Sequence, residues 1–124
     1  MPTCRRPGGA DLLGEWPAEL AKPFDHVVSA YVLHEFDLAT RLELLRRITA
    51  HHLSPAGCIL VADIAFPSVS ARADSFRLWA DRWDEDEHYW AADETAAACE
   101  QAGLRVGYQQ VSSCGGIFTF AHQS

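Results

Sequence analysis

The 124-residue sequence has no long uninterrupted run of apolar residues. Its best run, 58–66, contains Asp63 and is far shorter than the roughly 18 residues that a membrane-spanning helix needs. Residues 1–9 carry two arginines but no apolar core behind them, which is not the pattern of a signal peptide. We therefore expect no membrane association and no secretion signal.

Basic residues are also scarce. Ten Lys and Arg stand against 17 Asp and Glu, which gives a formal net charge of −7. A surface that binds a phosphate backbone needs clustered Lys and Arg, whereas the arginines here are scattered or paired. The sequence therefore predicts no nucleic-acid partner.

The four cysteines, Cys4, Cys58, Cys99 and Cys114, lie far apart and form no CxxC pair. This spacing permits disulfides, but it favours buried thiols in a cytoplasmic protein.

Metal-binding patterns are missing as well. His34-Glu35 does not begin an HExxH motif, because Leu38 stands where the second histidine is needed. His51 and His52 are adjacent, so on a helix they would point about 100° apart. We predict no bound metal.

The sequence does contain a nearly continuous run of β-branched and aromatic residues, from Phe24 to Leu33. Such a run predicts a strand buried on both faces, as in a parallel sheet. Polar groups return at His34-Glu35-Phe36-Asp37. Since ligand sites in open α/β sheets lie at the carboxyl ends of the strands, residues 31–35 are the first candidate site.

A helix is predicted from Ala39 to His52, because apolar residues recur at three- and four-residue spacing and Asp37 can cap it. The Leu53–Gly57 segment should stop it before a second buried strand, 58–64. Strand, helix and strand with short links predict a βαβ unit with parallel strands and a right-handed crossover.

The remaining chain predicts two helices and a hairpin. Ser70 is expected to cap the first of these helices, and one of its faces is apolar: Val69, Ala73, Phe76, Trp79, Ala80 and Trp83. Four acids at 84–87 are interpreted as a solvated loop or helix end rather than a calcium loop.

Another helix should run from Asp93 to Ala102 and end at Gly103. Strands at 104–112 and 117–121 should pair as an antiparallel hairpin. The predicted class is α/β, in the order β-α-β-α-α-β-β, behind a disordered lead-in at residues 1–10.

The order and the motifs together resemble the C-terminal part of a class I S-adenosylmethionine-dependent methyltransferase. The segment Phe24 to Ser29 with the following Val32-Leu33-His34 is similar to that family's fourth strand and loop. Leu53-Ser54-Pro55-Ala56-Gly57 is similar to its L-x-P-G-G turn, with Ala56 in place of the first glycine. Ala102-Gly103-Leu104 before the hairpin also matches, and the resemblance spans about 11–121, half of the usual catalytic domain.

The resemblance implies methyl transfer from S-adenosylmethionine to a small-molecule acceptor. Asp11-Leu12 resembles the element that contacts the adenine ring, where a carboxylate can accept a hydrogen bond from the exocyclic amine. The cofactor-binding residues that it implies are Asp11, Leu12, Ser29, Ala30, Tyr31 and Leu33.

Two parts of the family's cofactor site have no counterpart in the sequence: the glycine-rich loop after the first strand and the acid that ends the second strand. Without the first three strands, the Phe24–Leu33 strand would be an apolar edge, which invites pairing with another chain. We expect a homodimer through this edge, or poor solubility. The alternative to a methyltransferase is a non-catalytic remnant or interaction module that pairs through the same strand.

Two polar side chains are candidates for the chemistry. His34 could be the general base for an acceptor that must lose a proton, and Asp63 ends the neighbouring strand at the same sheet edge. A loop histidine bonded to a carbonyl and a capping aspartate are the structural alternatives. His88, Tyr89 and Trp90 could lie over the site and contact a sulfonium by cation–π interaction, although packing is the favoured interpretation for the tryptophans.

Overall fold

The computed structural model describes residues 18–20, 22–79 and 88–123. Its strands are β1 (Phe24–Ala30), β2 (Leu53–Phe66), β3 (Trp90–Ala91), β4 (Leu104–Gln110) and β5 (Gly115–His122). Its helices are α1 (Leu38–His51), α2 (Val69–Leu78) and α3 (Ala92–Ala102), with single 3₁₀ turns at Ala18–Leu20 and Leu33–Glu35. The predicted α/β class and element order are confirmed, with the two-residue β3 as an addition.

The main sheet has the order β1-β2-β5-β4. Strands β1 and β2 are parallel, as predicted for a βαβ unit, and the β4–β5 hairpin is antiparallel, as also predicted. Strand β5 returns between β2 and β4 and runs antiparallel to both. The parallel pair places the carboxyl ends of β1 and β2 at one edge of the sheet.

Two helix ends behave as their sequences predict. The Asp37 carboxylate accepts a hydrogen bond from the Thr40 amide at 2.8 Å, which caps α1. Helix α3 ends at Gly103, whose φ of 75° is a left-handed conformation that favours glycine. The cap predicted for α2 is wrong: Ser68, not Ser70, accepts from the Ala71 amide at 3.0 Å.

Strand β1 is shorter than predicted. It ends at Ala30 because Tyr31 has a φ of 57°, which a strand cannot accommodate, and the chain then turns into the Leu33–Glu35 3₁₀ helix. The expectation that β1 is buried on both faces is also wrong for the described residues, since Val28 is 68% exposed. Strand β1 ends the order of the main sheet, so among the described residues no strand pairs with its other edge.

Strand β2 is longer than predicted and includes the Leu53–Gly57 segment that suggested a turn. Phe24 pairs with Leu53 but His26 pairs with Cys58, so β2 bulges at this point. Proline and glycine within this segment indicated a chain reversal, but a bulge accommodates both residues.

The core lies on one face of the sheet, beneath α1 and α3. It combines Ile59 and Val61 of β2 and Phe118 and Phe120 of β5 with apolar residues of these two helices. The alternate residues of β2 point the other way, and Leu60 is 39% exposed. No helix within the described residues is long and apolar enough to cross a membrane.

Candidate functional site

His34 and Asp63 meet at the carboxyl ends of the two parallel strands. Asp63 lies near the end of β2, and His34 lies in the 3₁₀ turn that follows β1. The His34 Nδ1 and Asp63 Oδ1 atoms are 2.6 Å apart, and the His34 backbone amide donates to Asp63 Oδ2 at 3.1 Å. The structure thus brings together the two residues that were predicted to converge.

The Asp63 carboxylate is only 1% exposed, and its hydrogen-bonding capacity is well used. Besides the two contacts with His34, it accepts from Trp90 Nε1 at 3.2 Å and from the Ile64 amide at 2.8 Å. A buried carboxylate is costly unless such donors replace water. These donors fix the carboxylate in place, and the carboxylate in turn fixes the histidine ring.

This arrangement selects one use of the imidazole. When Nδ1–H donates to a carboxylate, Nε2 of the neutral ring carries the lone pair that can accept a proton. The His34 side chain is 12% exposed, so it lies close to the surface. The pair therefore has the composition and geometry of a general base held by a carboxylate.

The segment predicted to cover the site does approach it. The His88 amide donates to the His34 carbonyl at 2.6 Å, and the Tyr89 and His34 ring centroids are 6.1 Å apart. Trp90 is fully buried and contacts Phe118 at 4.7 Å between ring centroids, in agreement with the packing interpretation.

Only some of the predicted cofactor-binding residues lie at the carboxyl end of β1. Ser29 and Ala30 end β1 and Tyr31 follows them, 55% exposed and with positive φ, a conformation that is often retained at ligand sites. The Leu33 side chain lies in the core. Asp11-Leu12 and the acidic run 84–87 lie outside the described residues.

Arg41 is a site residue that the prediction missed. It is 2% exposed, and its guanidinium carbon lies 4.1 Å from the ring centroid of Trp90. Burial lowers the pKa of Arg41 to about 10, an effect that nearby Glu94 and Asp63 partly oppose, so the side chain is protonated at neutral pH. The sequence did contain a signal for Arg41, because this charged residue interrupts the apolar helix stripe that includes Leu38, Leu45 and Ile48.

Arg41 also borders a cavity of about 510 Å³, which is linked to His34 through two of its lining residues, His88 and Tyr89. The cavity lies between α1, α2 and the start of α3. Its described lining residues are Leu38, Arg41, Val69, Arg72, Ala73, Phe76, His88, Tyr89 and Glu94. Of the apolar face predicted for α2, Val69, Ala73 and Phe76 line this cavity, Trp79 does not, and Ala80 and Trp83 lie outside the described residues. None of the α2 residues is buried.

No cluster of three or more metal-binding side chains occurs in the described part of the chain. Its cysteines, Cys58, Cys99 and Cys114, are free thiols.

Comparisons with known proteins agree with this architecture. Neither a protein-family model nor a curated protein sequence gave a match. Among solved structures, the mitomycin 7-O-methyltransferase MmcR is similar with a TM-score of 0.64 and 23% identity over 92% of this chain. The pyocyanin biosynthetic protein PhzM has a TM-score of 0.66 and 18% identity, again over 92% of this chain.

A third similar structure is the O-methyltransferase NcsB1 from neocarzinostatin biosynthesis, in complex with S-adenosylmethionine and 2-hydroxy-5-methyl naphthoic acid. It has a TM-score of 0.56 and 20% identity over 83% of this chain. The present chain spans only 33%, 34% and 30% of these three proteins, respectively. The chain therefore has the fold of the C-terminal part of class I methyltransferases.

Proposed function

We propose that this chain is the acceptor-side part of an S-adenosylmethionine-dependent methyltransferase that acts on a hydroxyl group of a small molecule. The 2.6 Å contact between His34 and buried Asp63, at the carboxyl ends of two parallel strands, is the observation that carries the proposal. The fold is shared with O-methyltransferases, and their ligand sites are expected at this edge of the sheet.

In this proposal His34 is the catalytic base. Its Nε2 accepts the proton of the acceptor hydroxyl, while Asp63 holds the ring and stabilises the imidazolium that forms. S-Adenosylmethionine would supply an electrophilic methyl group on a sulfonium. That methyl group would be transferred to the acceptor oxygen deprotonated by His34, with the carbon–sulfur bond broken and S-adenosylhomocysteine released.

The described residues fit one side of a cofactor site. Ser29 and Ala30 end the strand β1, and the exposed Tyr31 follows them. We propose that these residues, with Leu33 in the turn that follows, contact the cofactor and that Asp11-Leu12 contact its adenine ring. The sequence has no glycine-rich loop for the methionine end, so binding by this chain alone should be weak.

Calorimetric titration with S-adenosylhomocysteine tests the cofactor step. We expect heat from a specific one-to-one complex that is weaker than micromolar for this chain alone. Micromolar binding would show that the chain needs no further cofactor-binding part. No binding at millimolar ligand, in either the monomeric or the associated protein, would contradict the proposal.

We also propose that a second copy pairs with the free edge of β1. Strand β1 ends the order of the sheet and carries Val28, which is 68% exposed. Unpaired backbone groups on an apolar edge are the usual basis of such association. If that pairing rather than catalysis is the function, the protein is an interaction module that retains the fold.

A cytoplasmic location is part of the proposal. The free thiols at Cys58, Cys99 and Cys114 suit a reducing compartment. The acidic balance of the sequence suits a small-molecule acceptor rather than a nucleic acid.

A further inference from the structure

We propose that Arg41 is a positioning residue for the His34–Asp63 pair, and that its buried positive charge, acting through Trp90, keeps His34 in the neutral form that can accept a proton. This inference rests on the proposed function only for the use of His34 as a base. The charge balance itself depends on three contacts in the structure, and it can be measured without methyl transfer.

A carboxylate beside an imidazole has two opposite effects on a general base. It orients the ring, but its negative charge also favours the protonated ring, which has no lone pair left to accept a proton. The buried Asp63 carboxylate occupies this position, 2.6 Å from His34 Nδ1. Such a base works better at neutral pH if a nearby positive charge offsets that of the carboxylate.

The interior of the chain holds one charge of this kind. Among the described residues, Arg41 is the only buried Arg or Lys, and Asp63 is the only buried Asp or Glu. Both contact the same side chain. The Arg41 guanidinium carbon lies 4.1 Å from the Trp90 ring centroid, and Trp90 Nε1 donates to Asp63 Oδ2 at 3.2 Å. Because Trp90 is fully buried, the two charges interact across an indole ring rather than across water.

Arg41 and Asp63 stabilise each other in this arrangement. Burial of either charge alone is costly, and the attraction between the two offsets part of that cost. A cation over the indole face also draws electron density from the ring, which strengthens the Nε1–H donor that holds Asp63. Together the two buried groups are close to neutral, so His34 meets little net negative charge.

The other charged groups around the pair are bonded to each other or exposed. Arg72 of α2 donates to Glu94 of α3 at 2.7 and 3.3 Å, so their charges largely cancel, although Glu94 also attracts Arg41. The remaining titratable side chains on the elements around His34 are exposed to water, which screens them, or are uncharged at neutral pH: Glu35, Asp37, His88, Tyr89 and Asp93.

NMR titration of the histidine rings tests the charge balance, in the unmodified chain and in Arg41→Met. The His34 signal is assigned by its absence in His34→Gln. Removal of the buried positive charge should raise the midpoint of the His34 titration by about one pH unit, because the negative charge of Asp63 is then unbalanced. Loss of packing alone would part His34 from Asp63 and lower the midpoint. An unchanged or lowered midpoint would therefore overturn the proposal.

Further variants assign the effect to Arg41. Arg41→Lys keeps the positive charge and should retain most of the balance. Arg105→Met removes an equal charge from an exposed position on β4 and should leave the midpoint unchanged, whereas a rise equal to that in Arg41→Met would contradict the assignment. If Arg41→Met does not fold, Trp90→Phe decides, because it keeps an aromatic ring but removes the donor to Asp63. The midpoint should rise in that variant as well, and an unchanged midpoint would overturn the proposal.

The titration is separate from turnover. A raised midpoint in Arg41→Met, with no methyl transfer by the unmodified chain, would support the charge balance and count against the proposed function. Where methyl transfer is measured, the acid limb of its pH–rate profile should move with the NMR midpoint in Arg41→Met. An acid limb that stays in place would contradict the role of Arg41 and leave His34 as the base.

Discussion

At the scale of single residues, burial divides the side chains into those that are fixed and those that can react. Asp63 is buried among four donors and orients His34, which is itself nearer the surface. Arg41 is buried, and its Nη1 has no hydrogen-bond acceptor among the described residues. The thiols show the same division, since Cys99 is fully buried in the core and Cys114 is exposed.

Cysteine reactivity follows from this difference. Burial raises the pKa of Cys99 to about 11, so at pH 8 its thiol should resist iodoacetamide while Cys114 is alkylated and half-buried Cys58 reacts at an intermediate rate. Mass spectrometry of native protein over time measures the order. Labelling in denaturant is the control, and equal native rates for Cys99 and Cys114 would contradict the packing.

The same shift has a consequence for stability. The folded-state pKa of Cys99 lies above its ordinary value of 9.0, so its contribution to stability is fully present below about pH 9. That contribution is lost as the pH rises toward 11. The free energy of unfolding should therefore fall over this range, and less steeply in a Cys99→Ala variant.

At the scale of elements, the sequence predicted the ends of two helices better than the ends of the strands. The α1 cap at Asp37 and the left-handed stop at Gly103 depend on neighbours within one turn, so the sequence contained enough to find them. The end of β1 and the length of β2 depend on pairing between distant segments. Residues 53–57 suggested a turn because a proline–glycine segment says nothing about a partner strand 29 residues earlier.

The sequence also predicted only part of the candidate site. His34 and Asp63 could be predicted to converge, because the carboxyl ends of parallel strands share one edge. Arg41 could not be placed in the site, since its contact with the Trp90 ring joins segments that are far apart in the sequence. A sequence shows that a charge interrupts an apolar stripe, but not which atoms remain without partners.

The bulge in β2 makes a specific stability prediction. A Cβ at Gly57 would lie 2.8 Å from the Asp25 carbonyl oxygen and 3.0 Å from that of Phe24, and backbone atoms cannot easily move away. Gly57→Ala should therefore lower the free energy of unfolding by about 1–3 kcal/mol in urea denaturation.

Gly107→Ala on β4 is the matched control. A Cβ there meets nothing within 4 Å, so a change within about 0.5 kcal/mol is expected. Equal losses of unfolding free energy in the two variants would show that the close approach at Gly57 does not affect stability.

At the scale of the whole molecule, the described chain has a sheet with one well-packed face and one incompletely covered face. Residues Val28, Leu60 and Thr119 lie in register across β1, β2 and β5, and all three are exposed. Helices α1 and α3 contribute to the core on the opposite face. The open face and the β1 edge are therefore the surfaces from which association is expected.

Val28→Lys should shift the protein toward monomer, because a lysine on an edge strand opposes pairing with a second strand. Light scattering after size-exclusion chromatography measures the mass at several concentrations. Thr119→Lys places the same charge on an interior strand of the same face and should leave the association intact. A monomer at high concentration for the unmodified chain would contradict edge pairing, and equal dissociation by both variants would place the contact on the face.

The central claim is that His34, held by Asp63, removes the acceptor proton during methyl transfer, and a single comparison tests it. Formation of S-adenosylhomocysteine from a hydroxyaryl acceptor and S-adenosylmethionine, supplied at millimolar concentration because this chain alone should bind it weakly, is measured for the unmodified protein and for His34→Gln. We predict a loss of roughly 10²–10⁴-fold in rate, with unchanged affinity for S-adenosylhomocysteine. An unchanged rate in His34→Gln would contradict the claim.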